Sequence, residues 1–299
     1  MNMKILSIGD IIWDIYPDSE CIGGATFNFS AHAALRGAEV WMISAVGDDN
    51  FGRRSIEFAE KFGVHTDFMQ TNSHETGKTL VTIDEQGHPS YNVLLDVAYD
   101  NIVVDDALCA KLNEMKFDAL YFGTLIQRLN SAAAVKKILD NCSFGEVICD
   151  INLRTNCYNR NSTEVCLSNA TVLKISSEEE PLLREFGFYE VEGDGDQSND
   201  YYIRVAKALC EKYKQLKVVI ITMGKNGSLA YERAAGAAYY LPIVDCPVVS
   251  TVGAGDSYTA GWFTSWFGGN SVLHAMNDAA ELSNYVVSHK DAIPFEGKK

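Results

Sequence analysis

The stretch Val248–Trp262 (VVSTVGAGDSYTAGW) combines three residues of minimal side chain with a single acid. Gly253, Ala254 and Gly255 precede Asp256, and the residues after it can form a helix. Such a helix start leaves backbone N–H groups free at the positive end of the helix dipole, where an anion can bind. A carboxylate beside those donors suits phosphoryl transfer, because the donors stabilise developing charge while the carboxylate takes a hydroxyl proton. Alternatively, Asp256 only caps the helix after a tight turn.

Composition limits the classes of function. The 299 residues are 47% hydrophobic and 22% charged, as in ordinary globular proteins, and fit one large α/β domain or two domains. We predict one domain over residues 1–299. The formal net charge of −15 argues against nucleic acid as a partner. Without a signal-peptide pattern or an apolar run of about 18 residues, the sequence predicts a cytoplasmic protein that does not enter membranes.

The cysteine pattern indicates neither a metal site nor a disulfide framework. No pair forms C-x-x-C, and zinc-site spacing is absent. Reduced thiols in a cytoplasmic protein are the expected state of all eight. They are Cys21, Cys109, Cys142, Cys149, Cys157, Cys166, Cys210 and Cys246.

Short apolar runs alternate with amphipathic segments along most of the chain. Runs such as VWMISAVG and KVVIITMG are apolar on both sides, which is typical of parallel strands covered on both faces. The alternation predicts an α/β fold with an open, mostly parallel sheet and helices on both faces. Val248 and Val249 are predicted to end its last strand.

One region has a different period. Residues Gly77–Tyr99 alternate apolar and polar residues around the turn sequence DEQG, which predicts a β-hairpin with one solvated face. Such a hairpin within an α/β chain suggests a small β extension of the main sheet, with residues 11–17 and 23–27 as further candidates to join it.

Ligands of open parallel sheets bind at the carboxyl ends of the strands. Taken singly, the polar and glycine residues there also have structural interpretations: Asp150 could cap a turn, Arg154 could be a surface charge, and Gly227 could shape a hairpin. The candidates are Asp14, Gly23–Gly24, Gly123–Thr124, Asp150, Asn152, Arg154, Ser176–Glu179, Thr222, Gly224, Gly227 and Gly253–Asp256.

Two common nucleotide motifs are absent. A P-loop requires G-x-x-x-x-G-K-[ST], but the only GKT, which begins at Gly77, has Asn72 in place of the first glycine and opens a predicted strand. The G-x-G-x-x-G fingerprint does not follow the first strand, where Gly9 and Asp10 stand.

Six stretches in order resemble the ribokinase-like (PfkB) carbohydrate kinase family, and within it most closely the fructokinases. The resemblance extends from Gly9 to the C-terminal helices. The stretches are GDIIWDIYPD, IGGATFNFSAHAALRGAEVWMISAVGDDNFG, FGTLIQR with DINLRTNCY, LKISSEEE, ITMGKNG and STVGAGD.

The resemblance implies a role for each candidate. Asp256 is the catalytic base, and Gly253, Ala254 and Gly255 form the anion hole. The sugar is bound by Asp14, Gly23, Gly24 and Asn28, with Arg154 beside the acceptor or the transferred phosphate. The nucleotide contacts are Thr222, Gly224, Gly227 and Asn284. Glu179 orders Mg²⁺ through water, since Mg²⁺ keeps much of its hydration shell.

Two positions depart from the family pattern. Ser250 replaces the first Asp of D-T-x-G-A-G-D, which helps hold a monovalent cation in potassium-activated relatives, so activation by a monovalent cation is in doubt. Ser176 replaces the Asn of N-x-x-E, and its hydroxyl can still order one water.

The sequence thus predicts an ATP- and Mg²⁺-dependent sugar kinase, with fructose as the favoured acceptor. The lid, from about 12–27 and 77–100, would exclude water and pair two subunits in a homodimer. The alternatives are a kinase for 2-keto-3-deoxygluconate, ribose or a nucleoside, and a sugar-binding regulator that lost catalysis.

Overall fold

The computed structural model describes residues 3–83, 89–192 and 198–294. Strands alternate with helices along the described chain. The strands are β1 Lys4–Ile8, β2 Ile12–Ile15, β3 Glu20–Gly23, β4 Glu39–Gly47, β5 Val64–His65, β6 Met69–Asn72, β7 Lys78–Ile83, β8 Pro89–Val93, β9 Ala119–Gly123, β10 Glu146–Asp150, β11 Val172–Ser176, β12 Val218–Thr222, β13 Ser228–Glu232 and β14 Ala237–Leu241.

The helices fall between these strands and after them. They are α1 Ala25–Leu35, α2 Asn50–Lys61, α3 Asp106–Met115, α4 Leu129–Asn141, α5 Arg160–Asn169, α6 Glu180–Glu185, α7 Asn199–Lys212, α8 Ala254–Phe267 and α9 Val272–Val287. Short 3-10 turns occupy Ala98–Asn101 and Gly224–Asn226.

The main sheet has the order β14-β13-β12-β11-β10-β9-β1-β4-β5, and β6 also pairs with β4. Its pairs are parallel except β12–β13 and β13–β14, which are antiparallel. The chain proceeds from β1 to β4 on one side and later adds β9, β10, β11 and β12 on the other. This reversal beside β1 creates a crevice at the carboxyl ends of the strands.

Helices cover both faces of this sheet, as predicted. Successive strand residues point to opposite faces. Leu6 packs in a core with residues of α3, α4, α5 and α7. Its neighbour Ile5 packs in a second core with Phe29 of α1, Phe263 of α8 and Met276 of α9.

The predicted hairpin forms from β7 and β8, with the register Leu80↔Asn92. Its DEQG turn, residues 84–87, lies outside the described residues. The hairpin does not extend the main sheet as predicted. Instead, β2 pairs with both β3 and β7, which gives a separate four-stranded sheet of order β3-β2-β7-β8, called the lid sheet below.

Two boundaries differ from the sequence-based prediction. Val248 and Val249 do not end a strand: residues 242–249 form an irregular loop, and these two side chains are 65% and 63% exposed. The main sheet ends at its edge strand β14, and the loop that follows pairs with none of the described strands of the sheet. The lid sheet ends at Gly23, because α1 already begins at Ala25.

Within the described residues, no helix is both long and apolar enough to cross a membrane. The acidic stretch Glu190–Asp200 (EVEGDGDQSND), which the sequence predicts to be a solvated loop, lies partly outside the described residues, at 193–197.

Candidate active site

Helix α8 begins at the crevice without a capping side chain. Its N-cap is Gly253, with φ 78°, a left-handed conformation that glycine adopts readily. The first amides of a helix have no intrahelical acceptor, so those of α8 can bind a ligand, although the Ala254 amide also donates to the Thr251 carbonyl at 3.3 Å. Asp256 lies in the first turn rather than at the cap, which contradicts the simple capping interpretation.

The carboxylate of Asp256 is held by two amides. Asn28 Nδ2 donates to Oδ2 at 2.8 Å, and Asn152 Nδ2 donates to Oδ1 at 3.4 Å. Asp256 is 6% exposed, and burial raises its pKa, although the Asn28 bond and the charges of Arg154 and Lys174 oppose the rise. A carboxylate with a raised pKa is a better proton acceptor than an ordinary surface aspartate.

A cavity of about 280 Å³ opens in front of Asp256 and is called the first cavity here. It brings together sugar-site and anion-hole candidates from distant parts of the chain, namely Asp14, Gly24, Asn28, Arg154, Gly253, Gly255 and Asp256. Gly23 lies at its edge: a Cβ there would stand 3.8 Å from both Asp14 Oδ2 and Asn28 Oδ1. A methyl group at this position would therefore make ordinary van der Waals contact with the polar atoms that line the cavity.

Asp14 reaches the cavity through the alternation of strand β2. Its neighbour Trp13 points the other way, packs on Phe51 and Phe58 of α2, and donates from Nε1 to Ser55 Oγ at 2.9 Å. Burial raises the pKa of Asp14, and a hydrogen bond from Thr79 of β7 and the charge of Arg154 oppose the rise. The lid sheet therefore places a carboxylate over a site whose base belongs to α8.

Two buried acceptor atoms in the first cavity lack partners. Asp10 Oδ1 accepts from Thr26 Oγ1 at 2.9 Å, but its Oδ2 has no hydrogen bond. Asn28 donates to Asp256, but its Oδ1 also has none. Because buried acceptors are normally satisfied, these two oxygens suit a ligand that brings hydrogen-bond donors.

A second cavity, of about 300 Å³, lies on the other side of the α8 N-terminus. Thr222, Gly224, Gly227 and Asn284 all line it, so the structure brings together the four predicted nucleotide contacts. Ala254 and Gly255 lie at its inner end. Its outer wall is the apolar stretch Leu241–Val244, which the sequence analysis did not single out.

The two cavities share two lining residues, Gly255 and Lys174. Lys174 belongs to β11 and is 6% exposed. Sequence reasoning missed it, although a lysine within the apolar run VLKIS is itself a signal. Lys174 and the start of α8 therefore lie between a ligand in the second cavity and a ligand in the first, beside the path of any group transferred from one to the other.

Both carboxylate oxygens of Glu179, the residue predicted to order Mg²⁺ through water, accept hydrogen bonds from backbone amides. Its Oε1 accepts from the Leu153 amide at 2.8 Å, and its Oε2 accepts from the Ser176 amide at 2.7 Å. The adjacent Glu178 lines the second cavity instead. No cluster of three or more metal-ligating side chains occurs within the described ranges, so direct protein ligands for a metal are not assembled here.

The serine at the family's cation position makes local contacts. Ser250 Oγ accepts from the Val252 amide at 3.2 Å, and the Ser250 amide donates to the Val287 carbonyl at 3.2 Å. This residue thus supports the turn that leads into α8.

Comparisons with known proteins agree with this geometry. The chain is 27% identical to a fructokinase of Salmonella typhimurium over 279 residues, which cover 89% of this chain and 85% of that protein. The structure of 2-dehydro-3-deoxygluconokinase from Thermotoga maritima superposes with a TM-score of 0.82 at 17% identity, covering 98% and 95% of the two chains. The structure of aminoimidazole riboside kinase from Salmonella enterica, solved with aminoimidazole riboside and an ATP analogue, gives a TM-score of 0.73 at 20% identity, covering 97% of this chain and 95% of that chain.

A family match extends over nearly the whole chain. Residues 18–297 match the pfkB family carbohydrate kinases. The names of these relatives indicate different acceptors, and the two solved structures share the fold of this chain. The chain therefore belongs to the pfkB family of carbohydrate kinases, phosphotransferases that act on sugar hydroxyls.

Proposed function

We propose that this kinase transfers the γ-phosphate of ATP to a hydroxyl of fructose. The observation that carries the proposal is the chemistry of the first cavity, which is lined by Asp14, Asp256, Asp10 and Asn28, the last two each having one buried oxygen without a partner in the described structure. These acceptors suit a neutral sugar with many hydroxyl donors. The similarity to a fructokinase supports the same choice.

In the proposed reaction, the sugar binds in the first cavity and ATP in the second. Asp256 takes the proton of the attacking hydroxyl, while the backbone amides of Gly253, Ala254 and Gly255 stabilise charge on the transferred group. Arg154 lines the first cavity and can donate to the sugar or to the arriving phosphate. ADP remains in the second cavity when the sugar phosphate forms.

Mg²⁺ fits this site only through water. The two oxygens of Glu179 already accept backbone amides, so Glu179 would hold hydrated Mg²⁺ from outside its first shell, together with the carboxylate of Glu178. Bound in this way, the ion would neutralise charge on the phosphates of ATP.

An acidic sugar such as 2-keto-3-deoxygluconate is the second candidate, because Arg154 could pair with its carboxylate. However, the first cavity carries three carboxylates, those of Asp10, Asp14 and Asp256, against the cations Arg154 and Lys174. A further negative charge would meet repulsion there, so the neutral ketose is favoured.

A coupled assay of ADP release over a panel of sugars, acidic sugars and nucleosides tests the proposal. We expect the highest kcat/KM with fructose, and Asp256→Asn supplies the background rate. A tenfold higher kcat/KM with an acidic sugar, ribose or a riboside would reassign the acceptor. Sugar binding without ADP release from any acceptor would indicate a regulator.

We also propose that the lid sheet pairs two subunits. Thr79 and Val93 face the first cavity, so the alternate residues Leu80 and Asn92 point outward, and Leu80 is 40% exposed. Sedimentation should give twice the chain mass, and Leu80→Glu should lower it to that of one chain. A wild-type monomer at micromolar concentration would reject the pairing.

A further inference from the structure

Lys174 occupies the boundary between the two cavities, yet no role in the family resemblance covers it. It extends from β11 toward the first turn of α8: a Cβ at Gly255 would stand 3.2 Å from its Nζ. The side chain lines both the sugar side and the nucleotide side of the crevice. An ammonium group at this position can contact a group that moves from one cavity to the other.

The ammonium group remains charged despite its burial. Burial alone would lower the pKa of Lys174, but the nearby carboxylates of Asp150, Glu179 and Asp256 outweigh that effect and raise it. Nζ donates to Asp150 Oδ1 at 3.1 Å. A well-packed apolar pair is often as stable as a buried ion pair, or more so, so stability alone does not account for the charge here.

Asp150 fixes the direction of the lysine. Its second oxygen, Oδ2, accepts from Thr259 Oγ1 of α8 at 3.0 Å, and its residue is fully buried on β10. The chain of bonds from Thr259 through Asp150 to Lys174 therefore links α8, β10 and β11. It holds the ammonium beside the same helix turn that supplies the anion hole.

We propose that Lys174 Nζ contacts the phosphoryl group during its transfer and that Asp150 is its positioning residue. The bond between the γ-phosphorus and the β–γ bridging oxygen breaks, and that oxygen leaves with ADP. The sugar oxygen forms the new bond to phosphorus as its proton passes to Asp256. Lys174 donates to the phosphoryl oxygens throughout, which adds a full charge to the partial charges of the α8 amides.

This inference rests on the proposed phosphoryl transfer, but the two fail in different experiments. If the proposed phosphoryl transfer is wrong, the wild-type enzyme releases no ADP with any acceptor of the panel, whereas a change of acceptor leaves the role of Lys174 testable with that acceptor. If only the role of Lys174 is wrong, the wild type is active and the lysine variants are equally active.

The test uses the full chain with its best acceptor. Lys174→Met removes the donor, and Lys174→Met/Asp150→Asn also removes the carboxylate that would otherwise be left unpaired. Lys136→Met is the matched control, because Lys136 is 75% exposed on α4, where it pairs with Asp140. Thermal unfolding verifies the fold, and calorimetry gives the affinities for ADP and for the β,γ-imido analogue of ATP.

We expect kcat to fall by about 10²–10³-fold in both lysine variants, as when one donor of an oxyanion site is removed. Affinity for the ATP analogue should fall, whereas affinity for ADP and the KM for sugar should change less than threefold. Lys136→Met should match the wild type. A double variant that folds and keeps kcat within threefold would overturn the proposal. Equal loss of ADP and analogue affinity would also overturn it, as would failure of both variants to fold, because the lysine would then serve the structure.

Discussion

The two cavities on either side of α8 use different chemistry. The first is lined by the carboxylates of Asp10, Asp14 and Asp256, and two of its buried oxygens lack partners. The second is lined largely by glycine backbone, hydroxyl groups and the apolar stretch Leu241–Val244. The difference indicates that the acceptor is selected by fixed hydrogen-bonding groups, whereas the donor is held by shape and backbone. Changes in the first cavity should therefore affect the acceptor and catalysis while nucleotide affinity persists.

The largest expected effect comes from Asp256→Asn. The substitution keeps the size of the side chain but removes the base and one of the two oxygens that accept from Asn28 and Asn152, so kcat should fall by roughly 10²–10⁴-fold. Calorimetry should still detect the sugar and ADP with nearly unchanged affinity. Asp140→Asn, at an exposed position on α4, serves as the charge-matched control. Turnover within threefold of the wild type would exclude Asp256 as the base.

Asp14→Ala should separate the two cavities most clearly. A hydrogen bond to a charged group contributes about 1.5–3 kcal/mol, so kcat/KM for the sugar should fall by roughly 10–150-fold. The KM for ATP should not change, because Asp14 lines only the first cavity. The control is Asp18→Ala, since Asp18 is exposed on the turn between β2 and β3. An unchanged sugar KM together with unchanged kcat would remove Asp14 from the acceptor site.

The pH dependence of kcat should report the buried base. The pKa of Asp256 is raised above 3.8 by burial, and a base acts only when deprotonated, so the acid limb should lie above that value. Asn28→Ala removes the hydrogen bond that opposes the rise, and the limb should move to higher pH. Arg154 and Lys174 favour the carboxylate form and Asp10 disfavours it, but this substitution leaves those charges in place. A limb unmoved in Asn28→Ala would assign it to another group.

The smallest effect is expected from monovalent cations. The hydroxyl of Ser250 accepts the Val252 amide and carries no charge, so KCl should change the wild-type rate less than threefold at matched ionic strength. Ser250→Asp restores a carboxylate beside the anion hole and should create a dependence on K⁺. A wild-type rate that rises about tenfold with K⁺, but not with a bulky organic cation, would contradict the prediction.

The sequence was sufficient for the features that depend on local pattern. Apolar runs, glycine turns and the break in period at Gly77–Tyr99 are properties of neighbouring residues, and they predicted the layered sheet and the hairpin. The separate lid sheet depends on pairing between β2 and β7, whose paired residues are 65 positions apart in the chain, so no local pattern predicts it.

The same limit applies to the crevice. The lysine within the apolar run VLKIS signals a buried charge. Its position between the cavities, however, follows from the order of β10, β11 and α8 in space, which the run itself does not reveal. Likewise, the free oxygen of Asp10 depends on how α1 packs over β1. The irregular loop that contains Val248 and Val249 shows the converse, since β-branched residues favour a strand only where a partner strand is available.

The strand β2, with Trp13 on one side and Asp14 on the other, also affects how such an enzyme can diverge. The proposed base, anion hole and nucleotide cavity belong to the main sheet and its helices, whereas Asp14, Thr79, Tyr91 and Val93 line the proposed acceptor cavity from the lid sheet. Trp13 packs the lid sheet against Phe51 and Phe58 of α2, on the face opposite to Asp14. Substitutions on the inward face of four short strands can therefore exchange one sugar for another while the inherited transfer machinery is preserved, which makes acceptor preference a modular trait.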